Sequence, residues 1–238
     1  IPNSPVHGDS HLAGTMFNAD KRPVFVGETG WTASYSRLET LQEVMDLEPD
    51  DYSGHEWIRA WTERTPLQLK PDMFFSARHR FASLAEYLEA LEIDQMVADR
   101  EGIGRLSVRN RYCRGLIYWC LNKGAPLFEY GCVDYEGRPL LSYYEIARLF
   151  SPLVVQAVWQ GDDIAIYASN RTREPIRARL LVRLVDTAGT EQLSAHRRVR
   201  VQARSAGTVV WVGRGWADRV TDRERQLLAV RAEYDGGA

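Results

Sequence analysis

The sequence predicts a chain of two classes, an α/β part over residues 1–151 followed by an all-β part over 152–238. Two continuous apolar runs, 23–27 and 115–121, are separated by helix start signals, which is the order of an α/β parallel sheet or barrel. From Val154 onward the pattern changes to short strand-like runs with turn signals between them. The charge balance shifts near the same point: residues 1–150 carry a net charge of −6 and residues 151–238 a net charge of +4, with Pro152 at the junction.

Pro23-Val-Phe-Val-Gly27 reads as a buried strand, closed by a loop at Glu28-Thr29-Gly30. Ser36-Arg37-Leu38-Glu39 has the spacing of a capping box, in which hydroxyl and carboxylate satisfy each other's backbone N–H groups. Leu38, Leu41, Val44 and Met45 then fall on one helix face, and Pro49 ends the run. The same box recurs at Ser53-Gly54-His55-Glu56, before Trp57, Ile58 and Trp61. It recurs again at Ser83-Leu84-Ala85-Glu86, whose helix carries Leu84, Leu88 and Leu91. Gly115 to Leu121 is too short and too apolar for a surface helix and predicts a second buried strand. Gly137-Arg138-Pro139 forms a turn, and Leu140 to Phe150 has helical spacing through Leu141, Tyr144, Ile146, Ala147 and Phe150.

The all-β part divides into strands at 154–159, 164–169, 177–185, 199–203, 208–212 and 227–233. Arg198 to Arg204 alternates basic and apolar residues, the signature of a half-buried strand, so its arginines are expected on a solvated face. Six or seven strands in under 90 residues suggest an immunoglobulin-like sandwich.

Composition narrows the function classes. The chain has 238 residues, 45% hydrophobic, 26% charged and 11% aromatic, which is a folded and soluble composition. No apolar run approaches the roughly 20 residues of a membrane-spanning helix, so no membrane partner is expected. With 30 basic against 32 acidic residues, nothing marks a nucleic-acid binder. Cys113, Cys120 and Cys132 lack the spacings of a zinc site or a disulfide framework, and no cofactor or metal is expected. Ile1 opens the chain without an initiator Met or a signal-peptide pattern, so a fragment or processed chain is expected. The compartment stays open, with the cytoplasm favoured.

Glu28 is the first candidate for chemistry. A carboxylate at the C-terminal end of a buried strand points into the mouth of a parallel α/β assembly, though by position alone it could equally be a surface-loop residue. Trp119, late on the second strand, is either a core residue or a platform for the C–H face of a pyranose. His7, Asp9 and His11 lie at i, i+2 and i+4, a spacing open to a metal, a substrate hydroxyl or an ordinary polar loop. Asn170-Arg171-Thr172 fits a glycosylation sequon.

Several stretches together resemble the C-terminal third of glycoside hydrolase family 2 enzymes of the β-mannosidase type. Gly8-Asp9-Ser10-His11 resembles the family's Gly-Asp-x-His stretch, and Val24-Phe-Val-Gly-Glu28-Thr-Gly-Trp31 its nucleophile strand. Ser36 to Leu41 resembles the segment that follows. Gly115-Leu-Ile-Tyr-Trp119-Cys-Leu-Asn122 resembles the strand that closes the barrel, and residues 133–139 and 143–152 resemble the final helix and the passage into a sandwich domain. The resemblance implies the C-terminal part of a (β/α)8 TIM barrel, incomplete over 1–151, followed by the sandwich. It also implies a retaining β-glycosidase with Glu28 as nucleophile, a carbohydrate substrate, and Trp119, Asp9, His11 and Asn122 near the reacting sugar.

Thr29, Cys120 and Lys123 depart from the family's usual aromatic, Gln and Asp. The family's acid/base lies upstream of the matched region, so it is expected from an earlier part of the same enzyme or from another chain, and these 238 residues alone are expected to be a weak hydrolase at best. The competing expectation is a non-catalytic carbohydrate-binding or interaction protein whose sugar contacts run through exposed aromatics such as Trp211 and Trp216.

Overall fold

The computed structural model describes residues 24–30, 33–45, 81–126, 129–160, 163–222 and 225–235, apart from the side chains of Glu28, Met45 and Ala217. His7, Asp9, His11 and the helix expected after Ser53 lie outside the described residues. The described residues are mostly β-structure with few helices, and they fall into two compact units. One unit lies within 1–103 and 115–148, the other comprises 104–114 and residues from 149 onward.

In the first unit, β1 (Phe25–Thr29) pairs in parallel with β2 (Gly115–Tyr118), Phe25 opposite Gly115 and Thr29 opposite Tyr118, with a register shift between Val26 and Thr29. Parallel strands need a crossover connection, and helices occupy part of it: α1 (Leu38–Met45) and α2 (Leu84–Gly104). Leu41, Leu84, Leu88 and Leu91 close with Ala33, Tyr35 and Tyr130 into one apolar cluster. Helix α3 (Leu141–Leu149) completes the unit.

Local chemistry departs from expectation at several points. β1 runs on through Glu28 and Thr29, so Glu28 belongs to the strand and not to a loop after it. At the start of α2 the Ser83 hydroxyl accepts from Glu86 N at 3.3 Å, while the Glu86 carboxylate reaches back to Ala82 N at 2.8 Å, one residue earlier than the usual box. At α1 the box does not form, because the Ser36 hydroxyl accepts from Tyr135 N at 3.4 Å. Strand β2 is shorter and less buried than its apolar run implied, with Ile117, Trp119 and Leu121 all more than half exposed. In α3 the buried residues are Ser142, Glu145 and Leu149, while Tyr143 and Tyr144 face solvent. The reason is electrostatic: buried Glu145 accepts from Arg100 Nε at 3.1 Å and from Arg148 Nε at 3.1 Å, and this attachment to α2 outranks the tyrosines.

The second unit holds two three-stranded antiparallel sheets. β3 (Leu153–Gln160), β4 (Asp163–Asn170) and β7 (Ser205–Gly213) form one in that order. β5 (Ile176–Asp186), flanked by β6 (Glu191–Val201) and β8 (Gln226–Tyr234), forms the other. A single core draws on both, with Val155, Ile164, Ile166, Leu180, Val182 and Val201 buried together. β6 starts eight residues before the expected strand and ends at Val201, where Arg204 (φ 49°) turns the chain toward β7.

A π-helical turn, Arg105–Arg109, also belongs to this unit. It buries Leu106 and Val108, and its preceding Gly104 lies so close to the Gln156 side chain that an added Cβ would come within 2.5 Å of Nε2. Asn170 of the sequon is fully buried, donating to Glu174 O at 2.9 Å and Val201 O at 3.2 Å, so its amide is committed to the fold. Trp211 and Trp216 meet edge to face at 5.3 Å and pack against the core, and Arg197 lies over the Trp211 ring at 5.7 Å. Neither indole is the open platform that the binding-protein alternative required.

Candidate active site

The site begins where β1 and β2 end. Trp119 N donates to Thr29 O at 2.7 Å, continuing the parallel ladder past the last strand residue and setting Trp119 beside the segment that carries Glu28. Gly30 makes this approach possible, since a Cβ there would lie 2.3 Å from Trp119 O. The Trp119–Cys120 peptide is cis. Trp119 is 53% exposed. Thus β1–β2 pairing brings together two of the five expected site residues, Glu28 by its backbone and Trp119 in full. Asp9 and His11 lie outside the described residues.

The chain after Trp119 is fixed by backbone bonds. Cys132 N and Val133 N both donate to Leu121 O, at 3.1 and 2.8 Å, and Lys123 N donates to Val133 O at 2.9 Å. Asn122, the fifth candidate, is exposed and its amide donates to Lys123 O at 3.3 Å. Gly131 permits this packing, because a Cβ there would come within 2.5 Å of Lys123 N. Tyr118 turns its hydroxyl inward, donating to Asp99 Oδ2 at 2.9 Å.

Two polar groups beneath the strand ends were not singled out as functional by motif reasoning. Lys123 is fully buried, and its Nζ donates at 2.6 Å to both Ser34 O and Glu129 O. Those are the two carbonyls of the Ser34–Glu129 β-bridge, so one amine ties the segment that follows β1 to the loop that follows β2. Burial lowers the Lys123 pKa to about 7, against the pull of Glu129, Cys120, Asp134 and Cys132. Gln95 of α2 accepts from Ser34 Oγ at 2.7 Å and donates to Tyr130 O at 2.7 Å, bracing the same bridge from the helix side. The sequence did mark Lys123, as a departure from the resembled family, but no spacing rule signals a buried amine held by backbone carbonyls.

The other groups near the strand end serve the scaffold. Glu129 Oε2 accepts from Gly124 N at 2.7 Å, and buried Asp134 accepts from Thr40 Oγ1 at 2.5 Å and Arg138 N at 2.8 Å. Cys113, Cys120 and Cys132 form no disulfide; burial pushes Cys120 up and Cys132 up to about 11, unfavourable settings for a thiolate nucleophile. Among the described residues no cluster of His, Cys, Asp and Glu could hold a metal ion, and no helix is long and apolar enough to cross a membrane.

With this geometry in place, comparison with known proteins is informative. No protein-family model matches the chain. β-Mannosidase B of Aspergillus niger is 26% identical over 263 aligned residues, covering 99% of this chain and 31% of that protein. β-Mannosidase B of Aspergillus fumigatus is 24% identical over 62% of this chain. Among solved structures, a β-D-mannosidase from Dictyoglomus thermophilum superposes with a TM-score of 0.76 at 15% identity, covering 98% of this chain and 28% of that one. The exo-chitosanase CsxA of Amycolatopsis orientalis, solved with PNP-β-D-glucosamine, superposes with a TM-score of 0.60 at 16% identity, covering 98% of this chain and 30% of that one. The chain thus spans less than a third of the lengths of these two structures and of the Aspergillus niger relative. Sequence and fold agree that it is β-mannosidase-like along its length, as the motif resemblance implied.

Proposed function

We propose that this chain is the C-terminal portion of a retaining β-glycosidase of the glycoside hydrolase family 2, β-mannosidase-like type, acting on terminal β-linked sugars. In this reading residues 1–151 contribute the last part of a (β/α)8 barrel and residues 152–238 an immunoglobulin-like sandwich. The parallel β1–β2 pair with helices in its crossover supports the first assignment, and two antiparallel sheets sharing one core support the second.

The observation that carries the proposal is the hydrogen bond from Trp119 N to Thr29 O, which sets an exposed indole next to the strand end of Glu28. Active sites of parallel α/β barrels are built at the C-terminal ends of their strands, where both residues stand. Glu28 acts as the nucleophile: its carboxylate attacks the anomeric carbon, the leaving oxygen takes a proton from a second carboxylic acid, and water then releases the sugar from the glycosyl-enzyme. The second carboxylic acid comes from sequence outside these 238 residues. Trp119 offers its indole face to the sugar's C–H face, and Asn122, Asp9 and His11 hold hydroxyls around it.

The test is to incubate the full-length protein with 2-deoxy-2-fluoro-β-D-mannosyl fluoride and map the labelled peptide. The expected result is one sugar equivalent on Glu28, with turnover abolished in Glu28→Gln. A label on another carboxylate, or none with full binding of mannoside, overturns the assignment.

A further inference from the structure

The sheet β6-β5-β8 turns one face to the core and the other to solvent. Its register places six guanidinium groups on the solvent face: Arg177, Arg179 and Arg183 from β5, Arg198 and Arg200 from β6, and Arg231 from β8. Arg177 stands directly opposite Arg200, and Arg179 directly opposite Arg198. Like charges in directly opposed positions weaken a sheet, and the six guanidinium groups outnumber the carboxylates on this face. Of the acids on the face, Glu191 lies at one end opposite Val185, and Glu233 of β8 stands opposite Arg179, where its carboxylate pairs with Arg231 at 3.5 Å. Among the described residues Arg177, Arg179, Arg183, Arg198 and Arg200 form no ion pair. Arg179 instead donates to His196 Nδ1 at 3.1 Å, which keeps that imidazole an acceptor and adds no countercharge.

Four of the arginines are also closely spaced. Side chains two apart on a strand repeat at roughly 6.6–6.8 Å and neighbouring strands lie about 4.8 Å apart, so Arg177, Arg179, Arg198 and Arg200 form a close block, with Arg183 and Arg231 beyond Leu181 and His196. Guanidinium forks match carboxylate and sulfate oxygens bidentately. The face has no Phe, Tyr or Trp, because Tyr234 and Trp211 lie on the core side, so it lacks the stacking platforms with which proteins hold single-stranded nucleic acid.

We propose that this outer face binds an acidic polysaccharide, a polymer of uronic or sulfated sugars, as an accessory contact of the second unit. The choice of a glycan among polyanions rests on the glycosidase reading above, whereas the cationic face itself does not.

Isothermal titration of the full-length protein with polygalacturonate tests the proposal, with neutral mannan, a single-stranded oligonucleotide and phosphatidylserine vesicles as comparisons. The expected result is polygalacturonate binding that weakens about tenfold or more between roughly 50 and 200 mM salt, with no binding of mannan. The double variant Arg179→Glu/Arg198→Glu loses that binding by a further factor of about ten. The double variant Arg179→Gln/Arg198→Gln, which removes charge without reversing it, falls between. The Gln variant melts no lower than the wild type, since it removes an opposed like-charge pair, and both variants fold and turn over an aryl β-mannoside at the wild-type rate. Undiminished binding by both folded variants, no binding of polygalacturonate by the wild type, or tighter binding of oligonucleotide or vesicles overturns the proposal. Should Glu28 go unlabelled while polygalacturonate still binds through these arginines, the glycosidase reading falls and the cationic site stands.

Discussion

Thr29 is fully buried next to Glu28, and its hydroxyl has no hydrogen-bond partner among the described residues. A buried hydroxyl without a partner costs roughly 1–3 kcal/mol, so Thr29→Val, which keeps the shape, is expected to raise stability by about 1 kcal/mol in urea unfolding. Lys123 presents the opposite case, a buried group whose hydrogen bonds are made but whose charge is costly. Its pKa is about 7 when folded and near 10.5 when unfolded, so between those values the unfolded chain holds the extra proton. Stability therefore rises with pH across that window, and the contribution is absent below about 7. Denaturant midpoints at pH 7 and pH 9 should show the wild type gaining about 2 kcal/mol relative to Lys123→Met, which has no proton to exchange. An unchanged difference between the two proteins would mean that the amine reaches solvent.

At the scale of elements, α3 shows how ion pairing sets an orientation. Burial works against ionisation of Glu145, yet Arg148 and Arg100 hold its carboxyl below the ordinary range. Its stabilisation is thus present above the unfolded value of about 4.5 and is lost as pH falls through the lower folded value. Glu145→Gln is expected to cost about 2–3 kcal/mol at pH 7 and to flatten that acid limb in a pH series of thermal melts. Apolar spacing misread the buried face of this helix because Tyr144 and Phe150 count as hydrophobic in a periodicity, while the bond that turns the helix links Glu145 to Arg100, 45 residues away in sequence. Elements with local signals were legible: β1, α1, α2, β2 and five of the six later strands fall where alternation or start signals put them, within a few residues. Boundaries set by tertiary contact were not. Ser36 has the spacing of a cap but bonds Tyr135, and β6 reaches back to Glu191 because β5 offers it a partner along its length. Of the site, the proximity of Trp119 to Glu28's strand follows from two apolar runs pairing, whereas Lys123 and Gln95 act through long-range bonds that no window in the sequence contains.

For the whole molecule, the division into units does not follow the chain in one pass. Residues 104–114 pack with the second unit although β2 and α3 of the first come after them. Leu106 and Val108, buried in that segment, each contribute roughly 1.5–3 kcal/mol of apolar burial. A fragment of residues 149–238 is therefore expected to be less stable than one of residues 104–238 by several kcal/mol, about 3–6 on that basis, measurable by comparing their chemical unfolding. Equal midpoints would show that the π-helical turn adds nothing to the β-sheets.

The pairing of β1 with β2 also has a consequence in time. About 90 residues separate the two strands, and at ribosomal speeds of roughly 5–20 residues per second the first waits on the order of 4–20 seconds for the second to be made. During that interval Phe25 to Thr29 is an unpaired apolar edge, open to whatever strand arrives first. The catalytic half of this proposed active site is synthesised early and completed late, and chaperone dependence in the cell should track that delay.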